Sequence, residues 1–342
     1  MEYNFDKDVN RKNTNSVKWD KTEEVFDKNE CLPLWVADSD WETAPEIIEA
    51  IEKRVDHGVF GYTYPSDKLS QTIVNWIKDH YNWDIKKDWI VYANGVVPSI
   101  NISIRALTIP GDGILIQTPV YFPFISTVKN TGRQIVNNQL INNDGYYTMD
   151  FNNLDESLSP DNEDSCKRAE MFLLCNPHNP VGRVWKKQEL QKLNQMIIDN
   201  DLILVSDEIH SDFIYEDNEH IPPASLSKEI EQRSITLMAP SKTFNIAGLH
   251  SSFAVIPNEK LRRKFLSVKD HLVGSGNIIG LIAMEAAYSK GEQWLEAQLD
   301  YLWDNIQYTI NYIDKNMPKV KYSIPEGTYL LWLDFREYGN CS

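Results

Sequence analysis

The chain of 342 residues carries 50 acidic against 34 basic side chains, a formal net charge of -16 at pH 7, which argues against general nucleic-acid binding. Hydrophobic residues at 42% and charged residues at 25% describe a globular protein long enough for one large domain with a lobe, or for two domains. No apolar run approaches the roughly 18 residues of a membrane span, the opening MEYNFDKDVN lacks a secretory pattern, and Cys31, Cys166, Cys175 and Cys341 offer neither a CxxC zinc site nor an obvious disulfide framework, so a soluble cytoplasmic protein is expected.

Thr43 followed by Glu46, with Pro45 in the first turn and Gly58 beyond the end, predicts a capped helix over 44–57. A second helix is expected over 67–80. From Ile90 to Thr236 apolar strands follow: IVY at 90–92, ILIQ at 114–117, MFLLC at 171–175, LILV at 202–205 and ITLM at 235–238. They alternate with polar or helical stretches such as 186–199, the signature of a mainly parallel sheet with helices on both faces and hence of the α/β class. After Gly291, residues Leu295, Leu299, Leu302, Ile306, Ile310 and Ile313 recur at steps of three and four and predict one long helix. TYLLWLDF at 328–335 predicts a final strand. No repeat or linker divides the chain.

Ligands of open parallel sheets bind outside the carboxyl ends of the strands, so the residues after each apolar run are the ones to compare. They read ANGVVPSI (93–100), TPVYFPF (118–124), NPHNPVG (176–182), SDEIH (206–210) and APSKTFNIAGL (239–249). Singly, each has a bland reading: a helix-opening turn, a packing aromatic, a rigid turn, a solvated strand end and a surface lysine. Together they offer the amides of a helix start for an anion, an aromatic plane at Tyr121, an amide at Asn179, a carboxylate at Asp207 and an amine at Lys242. Pyridoxal phosphate is a ligand that needs all five.

With NPHNPVG, SDEIH and SKTFNIAGL in this order and spacing, the chain resembles the fold-type I pyridoxal-phosphate enzymes of the aminotransferase class I and II superfamily. LPLWVADSDW (32–41), HGVFGYTYP (57–65), PVYFPF and EGTYLLWLDF (326–335) resemble the cystathionine β-lyase or C-S lyase branch. The resemblance runs from about Asn15 to Phe335. It implies an α/β fold with a smaller α/β lobe, divided here as 1–50 for the first part of the small lobe, 51–285 for the large cofactor-binding domain, and 286–342 for a linking helix and an incomplete remainder of the small lobe.

By the same resemblance Lys242 is the Schiff-base lysine, Asp207 the partner of the pyridine nitrogen, Asn179 the amide beside the ring hydroxyl and Tyr121 the stacking aromatic. The amides of Val96 and Val97 with the Ser241 hydroxyl fall at the phosphate, and Tyr62 matches a tyrosine given to that phosphate by a second subunit, which implies a homodimer. His210 and His250 stand where many aminotransferases carry tyrosine and arginine. His210 would bond near the ring oxygen or serve as a satisfied structural histidine.

The expected activity is β-elimination from cystathionine or a related L-cysteine conjugate, a small sulfur amino acid, giving thiol, pyruvate and ammonia. Transamination is the nearest alternative. The family continues past the TYLLWLDF strand through a segment bearing an arginine for the substrate carboxylate, and this chain stops at Ser342. Arg336 falls too early to match that arginine, so an impaired or regulatory protein is a further alternative. A metal hydrolase using Asp38, Asp40, Asp207, Glu208 and His210 lacks a ligand pair at helical spacing, and no metal is expected.

Overall fold

The computed structural model describes residues 3–27, 31–159 and 169–339, so Cys166 and Cys341 lie outside the described residues. A seven-stranded sheet organises the chain, from β1 (Ile90–Ala93), β2 (Gly113–Ile116), β3 (Gln134–Asn137) and β4 (Ala169–Cys175) to β5 (Ile203–Asp207), β6 (Ser234–Met238) and β7 (Ser252–Val255). Its order is β1-β7-β6-β5-β4-β2-β3. Only β7 runs antiparallel, pairing so with both β1 and β6, while the other neighbours pair in parallel. Since β7 opposes both of its neighbours, β1 points the same way as the other five strands. The five strands read from the sequence therefore all end at one edge of the sheet.

Two strands of this sheet are not legible in the pattern. The edge strand β3 is QIVN, with both polar ends exposed, and β7 is SFAV, whose antiparallel return places it between β1 and β6.

Alternation along the strands builds both layers. Met171, Leu173 and Cys175 of β4 pack with Ile100 and Ile104 of α3 (Val96–Leu107), Phe124 and Val128 of α4 (Phe122–Asn130), and Phe265 of α6 (Glu259–Lys269). Phe172 and Leu174 face the other way, against Leu190, Leu193 and Ile197 of α5 (Lys187–Asp199). A third core joins α1 (Pro45–His57) and α2 (Asp67–Tyr81) to α7 (Ile278–Lys290) and to Trp294 and Leu295 at the start of α8 (Glu292–Asn316). Helix α1 runs continuously through residue 50, and α7 through residue 285.

Two local expectations are corrected. Thr43 does not cap α1, whose N-cap residue is Ala44 without a side-chain bond. The Thr43 hydroxyl instead donates to the Phe244 carbonyl at 2.6 Å, a tertiary contact that displaces the local cap. Gly58 does end that helix, at φ +74°. In TYLLWLDF only Leu333–Asp334 is a strand, paired antiparallel with Lys321–Tyr322. The segment cannot run extended from its start because Thr328 turns at φ +66°, an unusual conformation for a β-branched residue.

Among the described residues no helix is long and apolar enough to cross a membrane, and no group of three or more His, Cys, Asp or Glu side chains is placed to hold a metal ion.

Candidate active site

Parallel register carries the polar strand ends to one place. Cys175 at the end of β4 is level with Asp207 at the end of β5, and Asp207 with Leu237 of β6. The Asn176 amide donates to the Asp207 carbonyl at 3.0 Å and the Glu208 amide to the Leu237 carbonyl at 2.9 Å, so the loops leave the sheet in step.

The Asp207 side chain is buried and accepts one hydrogen bond, from the Ile209 amide at 3.2 Å. Burial raises its carboxyl from an ordinary 3.8 to about 7, the Glu208 charge adds to the rise, and Lys242 opposes it. Lys242 follows β6 and donates to the Ala37 carbonyl at 2.7 Å. Its proton affinity is lowered by burial and restored in part by Asp38 and Asp207. A lysine whose proton affinity is lowered by burial is a candidate nucleophile and base.

Tyr121 begins α4, and its backbone amide donates to the Asn179 carbonyl at 3.1 Å, tying the β2 and β4 loops together. Its phenol is pushed up by burial and by the charge of Asp207. The Asn179 amide in turn donates to the Cys175 sulfur at 3.3 Å. His210 is buried, its Nδ1 has no hydrogen-bond partner, and burial drives its pKa down to about 3, with Lys242 adding to the fall. It is neutral at physiological pH. Its ring lies edge-on to Tyr329 at 5.6 Å.

Helix α3 starts at Val96 after Gly95, whose φ of +147° favours glycine. A side chain at position 95 would approach Pro98 to 3.3 Å. The Gly95 amide is fixed by the Ser252 hydroxyl at 2.8 Å, and the buried Oδ1 of Asn94 has no partner. The free amides of Val96 and Val97 thus open a helix that packs against β6, ahead of Ser241 and Lys242.

Two sequence candidates are not drawn into this cluster: Tyr62 stands fully exposed, and His250 caps a short 3-10 turn from the left-handed region at φ +47° with its side chain exposed. Conversely, sequence reading did not pick out Ala37, Asn245, Asp212 or Tyr329. Ala37 acts through its carbonyl, which has no signature in sequence. Asn245 binds the segment bearing that carbonyl, donating to Ser39 at 3.1 Å and Trp41 at 2.8 Å and accepting from the Ser39 amide at 3.2 Å. Asp212 anchors the residue beside the lysine, accepting from the Thr243 hydroxyl at 2.5 Å and from Trp76 at 3.1 Å as well as from Tyr81.

The segment around Ala37 is also held from outside. Arg11 makes a bidentate pair with Asp38 at 2.9 Å and reaches Asp40 at 2.8 Å, and Lys18 meets Asp40 at 2.6 Å. A further lock joins the β4 loop to the chain near residue 326: the buried Arg183 pairs with Glu326 and Glu189, each at 2.8 Å, and stacks against Tyr146.

A part-buried lysine and a buried carboxylate that feel each other's charge, at the carboxyl edge of a mainly parallel sheet, give the chain the outline of an α/β enzyme with a candidate lysine-centred site. Comparison with known proteins gives the family. Residues 29–340 match the model of aminotransferase class I and II, and the chain belongs to that family.

It is 42% identical to the cystathionine beta-lyase PatB of Bacillus subtilis (strain 168) over 98% of this chain and 86% of that protein. Among solved structures it is similar to cystalysin of Treponema denticola, which contains pyridoxal 5'-phosphate, with 40% identity, a TM-score of 0.94 and coverage of 99% of this chain and 85% of the other. A PLP-bound Clostridium difficile 630 protein, provisionally assigned as an aminotransferase, is 46% identical with a TM-score of 0.93, covering 98% and 85%.

Proposed function

We propose that the protein is a pyridoxal-phosphate-dependent carbon-sulfur β-lyase that cleaves cystathionine or a related L-cysteine conjugate to a thiol, pyruvate and ammonia. The observation that carries the reading is Asp207: a buried carboxyl raised to about 7, within reach of the charge of Lys242, with a single backbone donor of its own. Such a group is costly unless a cation sits against it.

The residues present fit the cofactor. The unpartnered Nδ1 of His210 and Oδ1 of Asn94 leave hydrogen-bonding capacity at the site, and the bare backbone at Gly95 leaves room for a phosphate against the α3 amides. Pyridoxal phosphate, when bound, supplies a carbonyl carbon for the substrate amine and a cationic ring that withdraws electrons from Cα.

The chain supplies the rest. Asp207 holds the proton on the ring nitrogen. Tyr121 would cover a ring face, Asn179 and His210 would bond the ring oxygen, and Val96, Val97 and Ser241 would hold the phosphate. Lys242, neutral once its proton is shed, removes the Cα proton as general base. Loss of that proton at Cα with departure of the thiolate from Cβ is the net elimination, and water then hydrolyses the released aminoacrylate to pyruvate and ammonia.

The exposed apolar run Val55, Val59, Phe60, Tyr62 and Tyr64 supports a homodimer in which Tyr62 reaches the phosphate site of a second copy. Cytoplasmic residence belongs to the same reading.

The test is an absorbance spectrum of the purified protein with pyridoxal phosphate, borohydride reduction and peptide mapping, followed by a pyruvate assay on cystathionine without any keto acid. Cofactor fixed on Lys242 and pyruvate released supports the lyase. Cofactor on Lys242 with product only when a keto acid is added makes it an aminotransferase, and no fixation on Lys242 overturns the reading.

A further inference from the structure

The Ala37 carbonyl accepts two hydrogen bonds at the centre of the site, from Lys242 Nζ at 2.7 Å and from the Tyr329 hydroxyl at 2.8 Å. Nothing in the sequence joins these three positions, which are brought together by two separate devices.

The first is Asn245. It sits three residues after Lys242 in the left-handed region, at φ +54°, a conformation asparagine tolerates better than most side chains. From there its amide makes the three bonds to Ser39 and Trp41 described above. The lysine loop thereby grips the very segment whose carbonyl its own amine meets.

The second is Thr328. Its φ of +66° is held by bonds on both sides: the Thr328 amide donates to the Phe213 carbonyl at 3.0 Å and Gly327 bridges to Ile214, while the Thr328 hydroxyl accepts from the Leu330 amide at 3.1 Å. This turn aims the next residue, Tyr329, inward, where its ring packs edge-on against Phe213 at 4.8 Å and His210 at 5.6 Å. A strained β-branched residue fixed immediately before a site tyrosine marks a constraint kept for what it positions.

We infer that Asn245 and Tyr329 are positioning residues for Lys242, together fixing the Ala37 carbonyl as the acceptor on which the free ε-amine docks. The chemistry follows from donor and acceptor roles. An amine that donates one N–H to a carbonyl keeps its lone pair and has its rotation restricted, so the lone pair is presented in one direction. Tyr329 competes for the same oxygen, and its phenol, held protonated by burial and by Asp38, can only donate. By sharing the carbonyl it weakens the hold on an ammonium and favours the neutral base. The inference rests on the lyase reading in that Lys242 is the reacting amine.

The test uses the full-length apoprotein and follows, against pH, the rate at which added pyridoxal phosphate is captured on Lys242, fixed by borohydride and located by mapping. The midpoint of that profile reports the amine. The other charged or titratable groups acting on it or lying beside it, Asp38, Asp207 and His210, are unchanged in both variants.

In Tyr329→Phe the carbonyl serves the lysine alone, and the midpoint moves up by about half to one pH unit. In Asn245→Gly, which keeps the backbone conformation and loses the clamp, the carbonyl drifts from the ammonium and the midpoint moves down. Opposite displacements support the inference. An unmoved midpoint in both variants, or displacement in the same direction, overturns it. Should Asn245→Gly fail to fold, Tyr329→Phe decides alone: upward supports, unchanged or downward overturns. Failure of the unaltered protein to capture the cofactor on Lys242 refutes the lyase reading instead.

Discussion

Asp207→Asn should make the apoprotein more stable while it disables the enzyme. Asparagine has nearly the same shape and carries no charge, so the substitution isolates the cost of an ionised carboxylate at a fully buried position. Raising the carboxyl from 3.8 to about 7, at about 1.4 kcal/mol for each tenfold change in proton affinity, costs the ionised form about 4 kcal/mol.

The sign follows from linkage. Because the folded-state pKa is raised, protonation favours the fold, and its contribution is complete below about 4 and lost progressively as pH rises to about 7. The gain of the variant over the unaltered apoprotein should therefore be small at pH 4, about 1–2 kcal/mol at pH 5, and about 3–4 kcal/mol at pH 8, relaxation and water entry reducing each figure. Urea unfolding of both apoproteins at these pH values reads the gap directly. Adding pyridoxal phosphate should reverse the ranking, because the cation that compensates Asp207 arrives with it, and turnover of the variant should fall at least about a hundredfold to a thousandfold. A gap that does not widen between pH 5 and 8, or a variant that keeps most of its turnover, would refute the assignment of Asp207.

Two other substitutions probe the phosphate cradle and the loop lock. Gly95→Ala places a side chain at φ +147° and within 3.3 Å of Pro98; it should destabilise the α3 start by about 1–3 kcal/mol and weaken pyridoxal phosphate binding about tenfold or more, read by fluorescence titration. Glu326→Gln leaves Arg183 with Glu189 but removes one of its two carboxylates, and should lower stability by about 1–3 kcal/mol in a thermal melt, with the loss growing from acid pH toward neutrality as Glu326, whose pKa is depressed mainly by Arg183 against the penalty of burial, becomes ionised in the unaltered protein.

The large architecture was legible because it rests on apolar periodicity. Five near-continuous apolar strands and the helices between them follow from burial on both faces, and the loop chemistry at their carboxyl ends follows from parallel pairing. What stayed hidden depends on tertiary contact. Thr43 has the signature of a helix cap and spends its hydroxyl on Phe244. TYLLWLDF has the composition of a strand but starts with a left-handed threonine that neither propensity nor pattern predicts. Ala37 contributes a carbonyl, common to every residue, and Asn245 reads as an ordinary polar residue until its partners more than two hundred positions away are in place.

The stretch SDEIHSD, at 206–212, shows how satisfaction separates function from support. It places three carboxylates within six positions of one buried loop, and burial alone would penalise each. Glu208 is met at one oxygen by His220 at 2.8 Å, its other buried oxygen having no partner, and Asp212 is met by the hydroxyls of Thr243 and Tyr81 and the indole of Trp76. Each of these two has side-chain donors supplied by the fold, and each braces the loop: Asp212 holds the residue next to Lys242, while Glu208 pins β5 to the returning chain. Asp207 has only the Ile209 amide, although it is buried like Glu208 and lies deeper than the half-buried Asp212. The fold gives each neighbour a side-chain donor and leaves Asp207 a single backbone amide, so its ionised form is the one that a cation from outside would compensate. That difference in the kind of donor, rather than the motif itself, is the physical reason for proposing Asp207 as the partner of the cofactor ring nitrogen.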